Sequence, residues 1–185
     1  MDKVRFTRMA DGTREEFELL RRLEEAERAD LPGRVLGLFD SLRGEPTGYQ
    51  VDRRTHCLQT ATRALRDGAD EETVVCALLH DAGDLLAPDN HGAFAAAIVE
   101  PYVSEANAWI VRHHPLFQGY YYFHHWGRDR DARERYRGHR FFEACARFCE
   151  RWDQCSFDPA YDTLGIEAFE PLVTAVFSRT PRSAS

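Results

Sequence analysis

The stretch CALLHDAGD, at residues 76–84, joins an apolar run to a histidine and an aspartate that are adjacent in the chain. The residues before His80 have the composition of a buried helix, and Gly83 is typical of a helix end. His80 and Asp81 then have two interpretations. They form a solvated helix end, or they belong to a metal site, because imidazole and carboxylate groups both bind first-row metals.

Helical periodicity extends on both sides of this stretch. Apolar residues recur with helical spacing in eight segments, at residues 13–29, 33–44, 56–68, 70–83, 91–103, 104–114, 139–154 and 165–179. Thr55 is predicted to cap the third of these helices, and Pro115 to break the sixth. Few segments alternate with a period of two residues. The predicted fold class is therefore all-α.

Length and composition limit the classes of function. The 185 residues suffice for one domain with a buried core, so residues 1–185 are predicted to form a single domain. No apolar run is long enough for a membrane span, and a formal net charge of -7 argues against nucleic-acid binding. Five cysteines without a CxxC pair, and the lack of an apolar leader, predict a cytoplasmic protein. Nothing indicates the oligomeric state.

Further histidines and an aspartate lie at or near the ends of the predicted helices. His56 is in a first turn, His91 opens a helix, His113 and His114 close one, and Asp153 lies in a late helix. Side chains at helix ends can meet at one mouth of a helical bundle. Three or more imidazoles with two carboxylates exceed one tetrahedral zinc site and suit two metals bridged by a carboxylate.

This order, His…HisAsp…Asp, resembles the metal-binding pattern of the HD-domain superfamily, and LLHDAGD resembles its signature. The extra histidines resemble a six-ligand branch that contains myo-inositol oxygenase and the HD-domain hydroxyphosphonate oxygenases. HCLQTATRA, at residues 56–64, is similar to the first-histidine helix of that branch, and RFCERWDQCSFDP, at residues 147–159, to its last-ligand helix. The similarity covers about residues 48–159 and implies a single HD-type helical bundle.

The resemblance also implies a set of metal ligands and a chemistry. One metal would be held by His56, His80, Asp81 and Asp153, and the second by His91 and His114, with Asp81 as the bridge and catalytic residue. His113 remains an alternative to His114. The implied cofactor is a mixed-valent Fe(II)/Fe(III) pair, which would use O2 to cleave a C–P or C–C bond of a small hydroxylated substrate.

Two departures from the branch concern the substrate. Gln118 stands about where hydroxyphosphonate oxygenases have a lysine that grips the phosphonate. Asp84 stands where they often have another histidine. Arginines of GRDRDARERYRGHR, at residues 127–140, are therefore candidates for binding phosphonate oxygens, Arg130 among them. The alternative for this run is a solvated surface of mixed charge.

Aromatic residues supply the remaining candidates for substrate contacts. Tyr120, Tyr121 and Tyr122 lie in FQGYYYFHHW, and aromatic faces attract quaternary ammonium groups. One branch of the similar oxygenases uses a substrate with a trimethylammonium group; the alternative for these rings is a hydrophobic brace. Tyr49 lies in the loop where the branch carries residues that cover the metals, and it is interpreted as a lid or substrate contact, or as an exposed loop tyrosine.

Three functions remain open from the sequence. The first is a di-iron oxygenase acting on a 1-hydroxyphosphonate, with or without a trimethylammonium group. The second is an HD-type phosphohydrolase acting on a nucleotide or small phosphate ester, which needs only His56, His80, Asp81 and Asp153. The third, a binding module, would require lost ligands, and none is missing. The first is favoured because the second leaves His91 and His114 less well explained, although binuclear hydrolases of this superfamily exist.

Overall fold

The computed structural model describes residues 3–46 and 48–182, and within these ranges it contains eight α-helices and no β-strand. The helices are α1 (Arg14–Arg28), α2 (Leu31–Asp40), α3 (Arg53–Arg66), α4 (Glu71–Leu79), α5 (His91–Val99), α6 (Glu105–Gln118), α7 (Phe142–Phe148) and α8 (Glu170–Phe177). This architecture confirms the predicted all-α class. None of the described helices has both the length and the apolar content that a membrane span requires. The domain predicted over residues 1–185 also includes residues 1, 2, 47 and 183–185, which lie outside the described residues.

The most buried helix is α4. It packs against α3, α6 and α8, and every residue from Val74 to Leu79 is buried. A helix that is apolar on all sides needs neighbours on all sides, and each buried Val or Leu side chain stabilises the fold by about 1.5–3 kcal/mol. The burial of α4 therefore carries His80 and Asp81, which follow it directly, into the interior of the protein.

The start of α3 differs from the sequence prediction. Asp52, not Thr55, is the N-cap residue, and its Oδ1 accepts the backbone N–H of Thr55 at 2.7 Å. The prediction of Thr55 as the cap is wrong because an aspartate three residues earlier satisfies that N–H. The helix consequently begins at Arg53. Arg53 and His56 are three residues apart in its first turn and project from the same face.

The predicted helix break at Pro115 is also wrong, because α6 continues through this residue to Gln118. Proline in a helix deprives the carbonyl four residues earlier of its usual N–H partner. That carbonyl belongs to Val111, and it accepts a hydrogen bond from Nδ1 of His114 at 2.7 Å instead. A histidine side chain thus satisfies the carbonyl that the proline leaves free.

The helix predicted over residues 139–154 is α-helical only in part. α7 ends at Phe148, and a π-helical turn follows over Cys149–Asp153, in which the N–H of Gln154 bonds to the carbonyl of Cys149 at 3.0 Å. The sequence predicted one helix over residues 139–154. Such wide turns are common at functional sites, and this one carries the buried carboxylate of Asp153.

The aromatic and arginine-rich segment after α6 folds into three short 3-10 turns, at Gly119–Tyr121, Phe123–Trp126 and Ala132–Tyr136. Phe123 is buried against Gly119, where a Cβ atom would overlap its ring. The guanidinium carbons of Arg128 and Arg133 lie 3.8 Å and 3.7 Å from the ring centres of Phe123 and Tyr120. Much of this segment therefore packs arginines on aromatic rings.

Candidate metal centre

Six side chains from different parts of the bundle meet in one place. Five of them are buried, and the sixth, His91, keeps 20% of its side chain exposed. They come from α3, the turn after α4, the start of α5, the last part of α6 and the π-helical turn; the residues are His56, His80, Asp81, His91, His114 and Asp153. The structure thus brings together all six residues that the sequence predicted as metal ligands.

Asp81 lies between two groups of histidines. Its Oδ2 atom is 3.6 Å from Nε2 of His56 and 3.7 Å from Nε2 of His80. Its Oδ1 atom is 3.4 Å from Nε2 of His91 and 3.1 Å from Nε2 of His114. The two oxygens of one carboxylate therefore face two different pairs of imidazoles, which is the arrangement of a bridging ligand.

Asp153 adds a second carboxylate on the His56 and His80 side. Its Oδ1 atom is 3.2 Å from Nε2 of His56 and 3.7 Å from Nε2 of His80, and it accepts a hydrogen bond from Nε2 of Gln118 at 3.0 Å. Its Oδ2 atom is buried and has no hydrogen-bond partner among the described residues. A buried, unpartnered carboxylate oxygen is costly unless a cation binds it.

All four imidazoles are oriented in the same way. In each, Nδ1 lies within hydrogen-bond distance of a backbone carbonyl; the pairs are His56 with Ser156 (2.9 Å), His80 with Ala77 (2.8 Å), His91 with Pro88 (3.0 Å) and His114 with Val111 (2.7 Å). A carbonyl only accepts, so Nδ1 must carry the hydrogen. In the neutral ring Nε2 then presents a lone pair to the centre.

This donor set fits metal ions. Nε2 of His56 and Nε2 of His80 are only 3.1 Å apart, and two lone pairs at that distance repel unless a proton or a metal ion lies between them. The other groups at the centre, two carboxylates and two more imidazoles, are acceptors as well. Nitrogen and oxygen donors without thiolate are suited to first-row divalent ions, including iron.

The charges inside the cluster shift the pKa values of its members. Burial alone would lower the pKa of His80, but the carboxylates of Asp81 and Asp153 raise it to about 9. Burial would raise the pKa of Asp81, but His80, His114 and Arg53 hold it well below its usual value. Burial lowers the pKa of His114. Burial would also raise the pKa of Asp153, but His56 and His80 hold it below its usual value. The metal-free cluster therefore keeps both carboxylates charged and places a proton on His80 at neutral pH.

Two glycines allow the elements of this centre to approach closely. A Cβ atom on Gly83 would lie 2.7 Å from the carbonyl oxygen of His91 and 2.8 Å from Cβ of Phe94. A Cβ atom on Gly92 would lie 2.9 Å from the ring of Pro115. The turn after Asp81 can therefore touch the start of α5, and α5 can touch α6, only because both positions lack a side chain.

We expect Gly83→Ala to damage the His91 side of the centre selectively. The added methyl group must push the start of α5 away from the turn, at a cost of about 1–3 kcal/mol in the free energy of unfolding. The metal content should fall from two ions per chain toward one, measured by elemental analysis beside a chemical denaturation curve. Gly33→Ala is the control, because a Cβ atom there meets nothing within 4 Å. Two bound ions in Gly83→Ala would contradict this account.

A cavity of about 300 Å³ opens onto the cluster. Five of the six clustered residues line it, all except His80. The lining also includes aromatic and polar side chains, among them Tyr49, Asp84, Gln118, Tyr121 and Tyr122. Five of the seven predicted substrate contacts therefore line this cavity.

The other two predicted substrate contacts, Tyr120 and Arg130, are not among the residues that line it. The guanidinium carbon of Arg130 lies 4.3 Å from the centre of the Tyr120 ring, so the two side chains pack on each other. His113, the alternative to His114, does not belong to the cluster. Its ring stacks on that of Trp109, with the centres 4.2 Å apart.

Five of the residues that line the cavity were not predicted as site residues: Pro115, Gln154 and the following three. Arg53 donates to Asp81 and to Asp84, Phe157 stacks on the imidazole of His56 with ring centres 4.3 Å apart, and Trp126 lies at the rim. Arg53 could have been predicted from its helical spacing with His56, once the helix start was placed correctly. Trp126 ends the aromatic run and Phe157 lies in the stretch of the last ligand, but the sequence did not distinguish either of them from its neighbours. Whether these rings reach the cavity depends on how loops cross the bundle.

Comparison with known protein families gives a match over more than half of the chain. A family model described as the HD domain matches residues 53–156. This range contains all six clustered side chains and lies within the core predicted at about residues 48–159. No curated protein matches the chain.

Proposed function

The chain belongs to the HD domain family, and from this premise we propose that it is a di-iron oxygenase that cleaves a C–P bond of a 1-hydroxyphosphonate. The family suggests a metal-dependent enzyme, and the buried His/Asp cluster can hold metal ions. The finer proposal rests on the number and arrangement of the ligands. Iron in both sites, with O2 as co-substrate, is the part that experiment must test.

The observation that supports this proposal most directly is the position of Asp81. One of its oxygens faces His56 and His80, and the other faces His91 and His114. A hydrolase with one metal would need only the first group together with Asp153. The second pair of histidines, oriented by its own backbone hydrogen bonds, is explained by a second metal.

A bound Fe(II)/Fe(III) pair would supply the redox chemistry, by coordinating the substrate hydroxyl and activating O2. The protein would hold the pair with His56, His80, Asp153, His91 and His114, and bridge it with Asp81. Gln118 would fix Asp153 through its Nε2 hydrogen bond. The contribution of these residues is to orient the reacting groups before they meet.

Aromatic side chains next to the cluster would limit the access of water to it. Tyr49 stacks on Phe157 with ring centres 5.0 Å apart, and Phe157 stacks in turn on His56. Exclusion of water would protect a reactive oxygen species from side reactions. This stack supports the interpretation of Tyr49 as a cover over the centre, although half of its side chain remains exposed.

The aromatic lining also supports a trimethylammonium group on the substrate. Tyr121 and Tyr122 face the cavity with Trp126, whose ring centre is 4.7 Å from that of Tyr122. A quaternary ammonium over such faces gains up to about 2 kcal/mol per desolvated ring. Within this proposal the aromatic wall would bind the cationic end of the substrate, and the metal side would bind its hydroxyl.

Oxygen uptake tests the function. Protein loaded with iron should consume O2 with a 1-hydroxyphosphonate and release inorganic phosphate, with equal molar amounts of both. The substrate with a trimethylammonium group should have a lower KM than an analogue with a neutral tert-butyl group of the same shape. Before O2 is added, the partly oxidised protein should show the EPR signal of a coupled Fe(II)/Fe(III) pair, altered by the substrate.

The main competing function is that of a metal-dependent phosphohydrolase. Phosphate released from nucleotides or phosphate esters without oxygen uptake, with Mg²⁺, Mn²⁺ or Co²⁺ as well as iron, would replace the oxygenase by this activity. Oxygen uptake with a polyol and with no phosphonate would keep the oxygenase and reject the substrate.

A further inference from the structure

Arg53 is the one arginine among the described residues that line the cavity over the metal cluster. Its Nη1 donates to Oδ2 of Asp81 at 3.0 Å, and its Nε donates to Oδ2 of Asp84 at 2.9 Å. The side chain is 27% exposed. It also lines a neighbouring cavity of about 370 Å³ that shares Tyr49 and Phe157 with the first. Arg53 therefore stands at the boundary between the metal cluster and open space.

The guanidinium group has donors to spare. It carries five N–H bonds, and its hydrogen bonds to described residues use Nε and Nη1. Nη2 is left without such a bond, and Arg53 lines both cavities. A planar guanidinium with free N–H bonds suits an anion that offers two oxygens.

The contact with Asp81 competes with metal binding. It uses Oδ2, the oxygen that faces His56 and His80. A metal ion on that oxygen would take over the charge that Arg53 now balances, and it would repel the guanidinium. Asp84 lies outside the six-residue cluster, so the bond from Nε to Asp84 would keep the side chain at the cavity while Nη1 and Nη2 become available.

The charge of the loaded cavity favours an anionic ligand. Asp81, Asp84 and Asp153 line it, and Arg53 opposes them. Two metal ions of charge two or more would outweigh these carboxylates and leave the cavity positive. The arginines predicted to bind phosphonate cannot serve here: Arg130 packs on Tyr120, and none of residues 127–140 lines the cavity.

We propose that Arg53 binds the anionic end of the substrate, a phosphonate or phosphate group, by paired hydrogen bonds, and that Asp84 holds the guanidinium in place for this contact. The inference rests on the proposed two-metal centre. It assigns the recognition of the anion to a residue of the first turn of α3, three residues before the ligand His56.

Binding without turnover tests the assignment. Iron-loaded protein, kept free of oxygen, is titrated with hydroxymethylphosphonate and with inorganic phosphate in a calorimeter. Arg53→Gln should weaken the binding of both by about 30-fold, as expected for the loss of a charge-assisted pair of hydrogen bonds. Arg53→Lys should restore part of the affinity, because it keeps the charge but not the fork. Elemental analysis should still find two metal ions in both variants.

Arg54→Gln is the matched control. Arg54 is the next residue of the same helix, but its Nε donates to Asp40 at 2.9 Å and its side chain lies over Phe39, away from the cavity. Its replacement should leave the affinity for both anions unchanged.

Two results would overturn the assignment. Wild-type affinity for both anions in Arg53→Gln would show that Arg53 does not bind them. Loss of a metal ion in Arg53→Gln, with affinity restored by adding metal, would show that Arg53 only positions Asp81. The oxygenase proposal can fail separately. If anion binding depends on Arg53 but the enzyme consumes O2 with no substrate, Arg53 still binds the anion and the oxygenase proposal is wrong.

Discussion

Asp81→Asn is expected to leave the protein with neither metal ion and with no measurable oxygen uptake. Among the described residues, this carboxylate is the one group that faces both histidine pairs, at 3.1–3.7 Å from the four Nε2 atoms. An amide of the same size has one weaker oxygen donor and lacks the negative charge, so it cannot bridge two cations. Elemental analysis of protein purified from iron-supplemented cells measures the effect.

Asp84→Asn is the control for this substitution. Asp84 lies three residues further along and lines the same cavity, but its Oδ1 atom is 3.9 Å from Nδ1 of His91, the nitrogen that already bonds to Pro88. This variant should keep both ions. Retention of one ion in Asp81→Asn would show that Asp81 belongs to a single site and is not a bridge.

Removal of the metals is expected to destabilise the fold by about 4 kcal/mol for each ion, under conditions where free metal exceeds the dissociation constant of that ion 1,000-fold. The metal-free centre packs four imidazoles and two carboxylates together, with Oδ2 of Asp153 unpartnered among the described residues. Since only the folded chain assembles this set, metal binding favours the folded state. For a domain of this size the melting temperature should fall by roughly 8–16 °C for each ion removed.

Thermal unfolding with and without a chelator measures this difference. The same treatment of Asp81→Asn should produce no shift, because that variant has no metal to lose. Equal melting temperatures of the wild-type protein in both conditions, with metal shown to be bound beforehand, would mean that the ions do not contribute to the stability of the fold. A shift of equal size in Asp81→Asn would point to an effect of the chelator elsewhere.

Much of the architecture could be predicted because it depends on local patterns. Apolar periodicity predicted the helices. The uniformly apolar run before His80 predicted a buried helix, which is α4. The helix boundaries were less predictable. Pro115 should have ended α6, but the His114 side chain satisfies the carbonyl that the proline leaves free. This hydrogen bond requires the His114 ring to direct Nδ1 to the carbonyl of Val111, which also directs Nε2 to Asp81 in the metal centre.

The substrate side of the site could be predicted only in part. Tyr120, Tyr121 and Tyr122 are indistinguishable as sequence, yet Tyr121 and Tyr122 line the cavity while Tyr120 packs under arginines. The 3-10 turns that follow α6 point neighbouring side chains in different directions, and their path is fixed by packing against the bundle. Local residue preferences do not contain that information.

By itself the sequence determined that this chain is all-α and which histidines and aspartates stand at helix ends, because both follow from the spacing of residues along one chain. It also carried the order of ligands typical of the HD domain. Only the tertiary structure decided that Asp81 faces two groups of histidines, that the wide turn at Cys149–Asp153 brings Asp153 to the first of them, and that Arg53 reaches the cavity. These features join residues as much as 100 positions apart, such as His56 and Ser156. The packing of helices on one another brings such residues together, and the local spacing of residues in the sequence does not specify that packing.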